Sequence, residues 1–216
     1  MSISVFLADD HQVMRDGLRT LLEAKPGIRV VGEAGDGREA LRRVARLKPD
    51  VVLLDIAMPL LNGIEATRRI RLKHPSIEVV ILSMFSTTEH IYRALEAGAR
   101  GFLLKECAGR EVIEAVHAAK AGRRFLSEKI SEREVDDLLR KRESGKAGSP
   151  LDRLSPRERE VLQLVVEGKS SAAIAGLVFL SPKTVETYRS RLMKKLGVED
   201  LAALIKYAVA NGLTAP

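Results

Sequence analysis

Four of five short apolar runs in the first half of the chain lead directly into residues that can do chemistry. Ile3–Ala8 runs into Asp9 and Asp10, Val51–Leu54 into Asp55, Glu78–Leu82 into Ser83 and Gly101–Leu104 into Lys105. Three carboxylates brought together repel one another and favour protonation unless a cation joins them. A hard divalent ion meets that need, and Mg²⁺ takes one or two carboxylates together with waters and phosphate oxygens. Ser83 adds a hydroxyl, and Lys105 adds a compact ammonium that meets a phosphate as a point charge. A carboxylate nucleophile, a metal, a hydroxyl and an ammonium together make a phosphoryl-accepting site, where charge stabilisation does most of the catalysis. One Asp or Lys at a strand end is ordinary solvated loop; the conjunction carries the reading. His11 reads as a neighbour of the acidic pair rather than a ligand, and Cys107 as a passive loop thiol.

The elements that position these residues are legible from periodicity. The four runs, together with Arg29–Ala34, are four to six residues long and rich in Val, Ile and Leu, which marks strands. Stretches of helical period lie at about 11–24, 37–48, 63–74, 88–97 and 109–121. Five βα units predict an α/β doubly wound five-stranded parallel sheet, with ligands bound beyond the carboxyl ends of the strands. From Ser131 a polar helix begins with a capping box of Ser131 and Glu134 and a thin stripe of Val135, Leu138 and Leu139. It gives way to Ser144-Gly-Lys-Ala-Gly-Ser-Pro150, read as a flexible linker. Four further helices follow at roughly 156–167, 171–178, 182–196 and 199–211, so the chain divides into 1–122, a helical connector and linker at 123–153, and a small all-α domain at 154–216.

Composition bounds the function. The 216 residues hold one Cys and no Cys/His cluster, which excludes a disulfide framework and a thiolate zinc site and fits a reducing cytoplasm. MSISVFLADD is no signal peptide, and no apolar run approaches the length that spans a bilayer, so no membrane partner is expected. The glycines of residues 32–37 do not match a dinucleotide fingerprint. The net charge of +7 calls for a polyanion without placing it. Residues 1–127 hold 20 basic and 16 acidic side chains, and 154–216 hold 9 and 6. Within 183–195, Lys183, Arg189, Arg191, Lys194 and Lys195 face only Glu186, which concentrates positive charge on one helix.

That helix begins at Ser181-Pro-Lys-Thr184, as an earlier one begins at Ser155-Pro-Arg-Glu158: Ser at the N-cap and Pro at the first position. Ser170 caps the short helix between them, and Val178 to Leu180 turn the chain. A short helix, a tight turn and a longer basic helix make a helix-turn-helix. Val185, Leu192 and Leu196 form its core stripe, while Lys183, Glu186, Thr187, Ser190 and Lys194 point elsewhere. With 4% aromatic residues a stacking platform for single strands is poorly supported, so duplex DNA is the expected partner.

These motifs carry a resemblance. Asp9-Asp10-His11, Asp55-Ile-Ala-Met-Pro59 with Asn62-Gly63, Ser83 and Gly101-Phe-Leu-Leu-Lys105 are similar to the receiver domain of bacterial two-component response regulators. Leu154–Leu162, Glu167-Gly-Lys169, Ser181–Val185 and Lys195-Leu-Gly197 resemble the LuxR-type DNA-binding domain. Together they resemble a NarL/FixJ-type response regulator. The resemblance implies that Asp55 accepts a phosphoryl group from a sensor histidine kinase, and that Asp9, Asp10, Asp55 and the Ala57 carbonyl hold Mg²⁺. It further implies that Ser83 and Lys105 contact the phosphoryl oxygens, with Ser83 and an inward-rotating Phe102 as the switch. In the second domain it places Glu186, Thr187 and Ser190 at base edges, and Lys183, Thr184, Tyr188, Arg189, Arg191 and Lys194 at phosphates. A homodimer on promoter DNA, with RNA polymerase as a further partner, follows from the same resemblance. Leu201, Leu204, Ile205 and Ala208 offer either a dimer seam or the closure of the domain core.

Five positions qualify it. Glu106 stands where proline is common, and Glu186 and Tyr188 replace a frequent lysine and histidine; Glu186 there could accept from cytosine N4. Ala57 and Phe85, two residues beyond the acceptor and the hydroxyl, are apolar, which predicts a long-lived aspartyl phosphate. Two rival readings fit the residues less well. An aspartyl phosphatase of haloacid-dehalogenase type wants a second Asp where Ala57 stands, and a phosphorylation-independent receiver would not need the full acidic set and Lys105.

Overall fold

The computed structural model describes residues 2–143 and 150–211, so residues 144–149 of the expected linker lie outside the described residues. The chain divides into two compact units, Met1–Arg140 and Lys141–Pro216.

In the first unit, strands β1 (Ile3–Ala8), β2 (Ile28–Ala34), β3 (Val51–Asp55), β4 (Glu78–Ser83), β5 (Gly101–Leu104) and β6 (Phe125–Leu126) form one sheet in the order β2-β1-β3-β4-β5-β6, all neighbours parallel. Helices α1 (Gln12–Glu23), α2 (Gly37–Leu47), α3 (Gly63–Lys73), α4 (Thr88–Glu96) and α5 (Ala108–Lys120) connect the strands, and α6 (Glu132–Glu143) follows the sheet. The doubly wound architecture is as read from the sequence, but the sheet has six strands rather than five. β6 is only two residues long and too short to show a period of two, which is why periodicity missed it.

Strand alternation builds two cores. Phe6, Ala8, Val52, Leu54, Val79 and Ile81 face one side, where Ala40, Val44, Ile64 and Ile70 cover them. Val5, Leu7, Leu53, Val80 and Leu82 face the other, against Leu18, Leu22, Val112 and Val116. All five residues of β3 are buried, as a central parallel strand covered on both faces requires. The order reverses about β1, so the crevice beyond the carboxyl ends of β1 and β3 is the expected ligand position.

The second unit holds α7 (Pro156–Val166), α8 (Ser171–Val178), α9 (Pro182–Leu196) and α10 (Leu201–Ala210). Their starts are set by side chains at the expected positions. Ser155 and Glu158 form a full capping box on α7, and Ser170, Ser181 and Asp200 accept the N–H of Ala173, Thr184 and Ala203. Gly197 ends α9 at φ 68°, a left-handed conformation that glycine adopts without strain. Val161, Leu162, Ile174, Val178, Val185, Leu192, Leu204 and Ala208 are all buried. Leu204 and Ala208 therefore help to close this core, whereas Leu201 and Ile205 are exposed. Among the described residues no helix is long and apolar enough to cross a membrane.

Candidate functional site

Asp9 and Asp55 end up at adjacent strand ends because β1 pairs directly with β3. Both are almost fully buried, at 1% and 2% exposure, while Asp10 stays in contact with solvent. The Lys105 ammonium, at the end of β5, lies 2.8 Å from Asp9 Oδ2 and 3.0 Å from Asp55 Oδ2. Burial pushes the Asp55 carboxyl up to about 6, and the Asp9 charge adds to that, against the opposing pull of Lys105 and the Ala57 N–H. Lys105 is held above the usual ammonium value: burial alone would lower it, but Asp55 and Asp9 outweigh burial.

Carboxylate oxygens of Asp9, Asp10 and Asp55 and a ring nitrogen of His11 all lie within 4.8 Å of one another. His11 Nδ1 is 2.7 Å from Asp10 Oδ1 and 3.2 Å from Asp9 Oδ1, and the His11 N–H donates to Asp9 at 2.9 Å. It lies beside the acidic pair, with its ring nitrogen in the same cluster. Ser83 is buried and accepts the Phe85 N–H at 2.8 Å. A cleft of about 260 Å³ lined by Ser83, Met84, Ser86, Leu104 and Glu106 lies beyond the ends of β4 and β5. Phe85 stacks on His90 with ring centroids 4.9 Å apart. Phe102 is already fully buried, packed in the same core as Leu104.

The loop after Asp55 shows why Asn62-Gly63 stands there. Asn62 caps α3 by accepting the Glu65 N–H at 3.0 Å, and the Gly63 N–H donates to the Ile56 carbonyl at 2.9 Å. A Cβ on Gly63 would lie 2.1 Å from the Asp55 carbonyl oxygen, so only glycine lets the helix start approach the end of β3 this closely.

On α9, Lys183, Glu186, Thr187, Ser190, Arg191 and Lys194 are exposed, and Thr184, Tyr188 and Arg189 are half-buried. Several of these side chains have internal partners. Thr184 Oγ1 is 2.8 Å from Ser181 Oγ, and Thr187 Oγ1 donates to the Lys183 carbonyl at 3.0 Å. Glu186 accepts from the Ser171 hydroxyl, which also takes a hydrogen bond from Arg189 at 3.0 Å; Arg189 and Glu186 are 3.7 Å apart. Ser171, on α8, is the member sequence reasoning missed, because nothing in a spacing of 15 residues predicts that contact. Lys195 donates to Glu158 at 2.7 Å and to the Arg153 carbonyl at 3.1 Å, so it is tied to α7 while staying partly exposed. Burial works to raise the Glu158 carboxyl, but Lys195 and the Ser155 cap hold it below the usual carboxylate range. Among the described residues, Lys183, Arg191 and Lys194 carry the unpaired charge of this helix.

A parallel sheet with paired acids and a lysine at its strand ends, joined to a four-helix helix-turn-helix unit, defines the class of receiver-and-effector regulators. Family comparison agrees: residues 5–117 match the response regulator receiver domain and residues 152–208 match the luxR family of bacterial regulatory proteins. The transcriptional regulatory protein LiaR of Bacillus subtilis is 38% identical over 211 residues, covering 98% of this chain and 99% of LiaR. The DNA-binding transcriptional activator DevR/DosR of Mycobacterium tuberculosis is 40% identical over 197 residues, covering 91% and 89%. Among solved structures, Salmonella RcsB bound to the flhDC promoter P1 with the phosphomimetic BeF₃⁻ is 30% identical, with a TM-score of 0.66 over 97% of this chain and 100% of that one. The chain belongs to the two-component response regulators that couple a receiver domain to a LuxR-type DNA-binding domain.

Proposed function

We propose that Asp55 accepts a phosphoryl group from a cognate sensor histidine kinase in the cytoplasm, and that this switches dimerisation and binding of the second unit to double-stranded promoter DNA. The observation that carries the reading is the Lys105 ammonium held between Asp9 and Asp55 beside Asp10. In the transfer, an Asp55 oxygen bonds to phosphorus as the donor's phosphorus–nitrogen bond breaks, and the imidazole leaves with the electron pair. Lys105 turns from its carboxylates to a phosphoryl oxygen, and the Ser83 hydroxyl donates to another.

The donor set suits Mg²⁺: three carboxylates whose oxygens gather within 4.8 Å are hard ligands, and the Ala57 carbonyl is the proposed fourth. Bound there, the ion would neutralise charge on the phosphoryl oxygens. The chain acts as a regulator whose own chemistry is confined to gaining and losing this group.

On α9, Lys183, Thr184, Tyr188, Arg189, Arg191 and Lys194 are proposed for phosphates, and Glu186, Thr187 and Ser190 for base edges. RNA polymerase is a further partner in this reading. Incubating the protein with acetyl phosphate and Mg²⁺ tests the acceptor. Intact mass should show one phosphoryl adduct, absent in Asp55→Asn; an adduct that survives the substitution contradicts the assignment.

A further inference from the structure

Three successive residues between β6 and α6 each hold a different part of the segment that carries Lys105. The Ser127 N–H donates to the Phe102 carbonyl at 3.0 Å, and the Ser127 hydroxyl accepts the Leu104 N–H at 2.9 Å. The Glu128 N–H reaches Glu111 of α5 at 3.4 Å, and Lys129 pairs with Glu106 at 3.0 Å. β6 pairs with β5 through Gly101–Phe125 and Phe102–Leu126 only. A strand continuing along this edge would offer the Ser127 carbonyl to Leu104, but that carbonyl accepts the Ile130 N–H at 2.8 Å as the chain turns away. The hydroxyl takes its place and completes the ladder.

The bond is secluded, since Ser127 and Leu104 are both buried. Without it a buried N–H loses its partner, which costs far more than an exposed one. Leu104 is the residue before Lys105, so the hydroxyl fixes the backbone from which the ammonium reaches Asp9 and Asp55. Ile130 and Val135 lie in the same apolar cluster as Phe102 and Leu104. α6 in turn runs past the division between the two units at Arg140.

We propose that Ser127 is a positioning residue for Lys105, and that the same hydrogen bond couples the phosphoryl-accepting strand ends to α6. This rests on the reading of Asp55 as phosphoacceptor. A shift of β5 as Lys105 turns toward a phosphoryl group pulls on Ser127 and so on the start of α6.

The test uses the full chain with acetyl phosphate and Mg²⁺, following adduct formation by mass. Ser127→Ala should slow the initial rate on the order of tenfold, as small misplacements of a reacting group do. Because Ser127 acts through Lys105, the same change in a Lys105→Ala background should add no further slowing. A wild-type rate in Ser127→Ala, or equal slowing in both backgrounds, overturns the proposal. Amide hydrogen exchange of the unaltered chain supplies a measurement that needs no variant to fold. Phosphorylation should change protection at Leu104 and through residues 130–140 together, and a change at Leu104 with α6 unaffected overturns the coupling. Failure of the unaltered chain to form an adduct would instead remove the phosphoacceptor reading itself.

Discussion

Asp55 is held in the fold at a cost to stability. Its carboxyl titrates near 6, above the ordinary carboxylate value, so the folded chain binds that proton more tightly than the unfolded one. Stability from this group is full below the ordinary value and is lost as pH rises through about 6. Asp55→Asn should therefore stabilise the protein by a few kcal/mol, roughly, at pH 7.5, with the gain fading toward pH 4, as read from denaturant midpoints. A pH-independent difference would contradict the burial argument. Ala57 and Phe85, two residues beyond Asp55 and Ser83 in the chain, are apolar, and Phe85 is fixed by its stacking on His90. An aspartyl phosphate lifetime of minutes or longer follows, measured as loss of adduct without phosphatase; a half-life of seconds would refute it. The gathering of Asp55, its acidic partners and Lys105 was legible in the sequence because each follows directly on an apolar run. The Ser171 contact was not, since it joins residues on separate helices.

At the scale of elements, neighbouring lysines on one helix do different work. Lys194 is exposed and without an ion pair among the described residues, whereas Lys195 is paired with the buried Glu158. Charge counting treats them alike; a helix rotates them about 100° apart, and only packing tells which side meets α7. Lys194→Ala should leave thermal stability unchanged, weaken binding across DNA sequences and reduce the salt slope by about 1. Lys195→Ala should instead lower stability by about 1–2 kcal/mol, less than for a fully buried pair because this lysine is partly exposed. The two variants exchanging these effects would refute the assignment. Gly63→Ala forces the α3 start away from the Asp55 carbonyl, so it should slow phosphorylation more than Gly17→Ala on the exposed face of α1, whose Cβ meets nothing within 4 Å. The strands β1 to β5 announced themselves by runs of Val, Ile and Leu, and the caps of α7 to α9 by Ser. β6 carried no such signal, because two backbone pairs and one serine hydroxyl suffice to form it.

Across the whole molecule, the net charge of +7 proves a poor guide to where a polyanion binds. Part of the excess on α9 is spent internally, on Glu158 by Lys195 and on Ser171 and Glu186 by Arg189, and the acidic cluster that defines the receiver is hidden inside a basic total. The two-part organisation was readable because hydrophobic periodicity changes from alternating strands and helices to helices alone. The extent of the first unit was less so: β6 and most of α6 belong to it, held by Ser127, Ile130 and Val135 rather than by any boundary signal. Phosphorylation of Asp55 is proposed to control DNA binding by the second unit. This control is tested most directly by titrating one promoter duplex from the protein's own regulon with the full chain, before and after treatment with acetyl phosphate and Mg²⁺, beside Asp55→Asn. Binding should be tighter after treatment and steeply weakened by salt, with no response in Asp55→Asn. Equal affinity of the phosphorylated and unphosphorylated chain, or an undiminished response in Asp55→Asn, would contradict it.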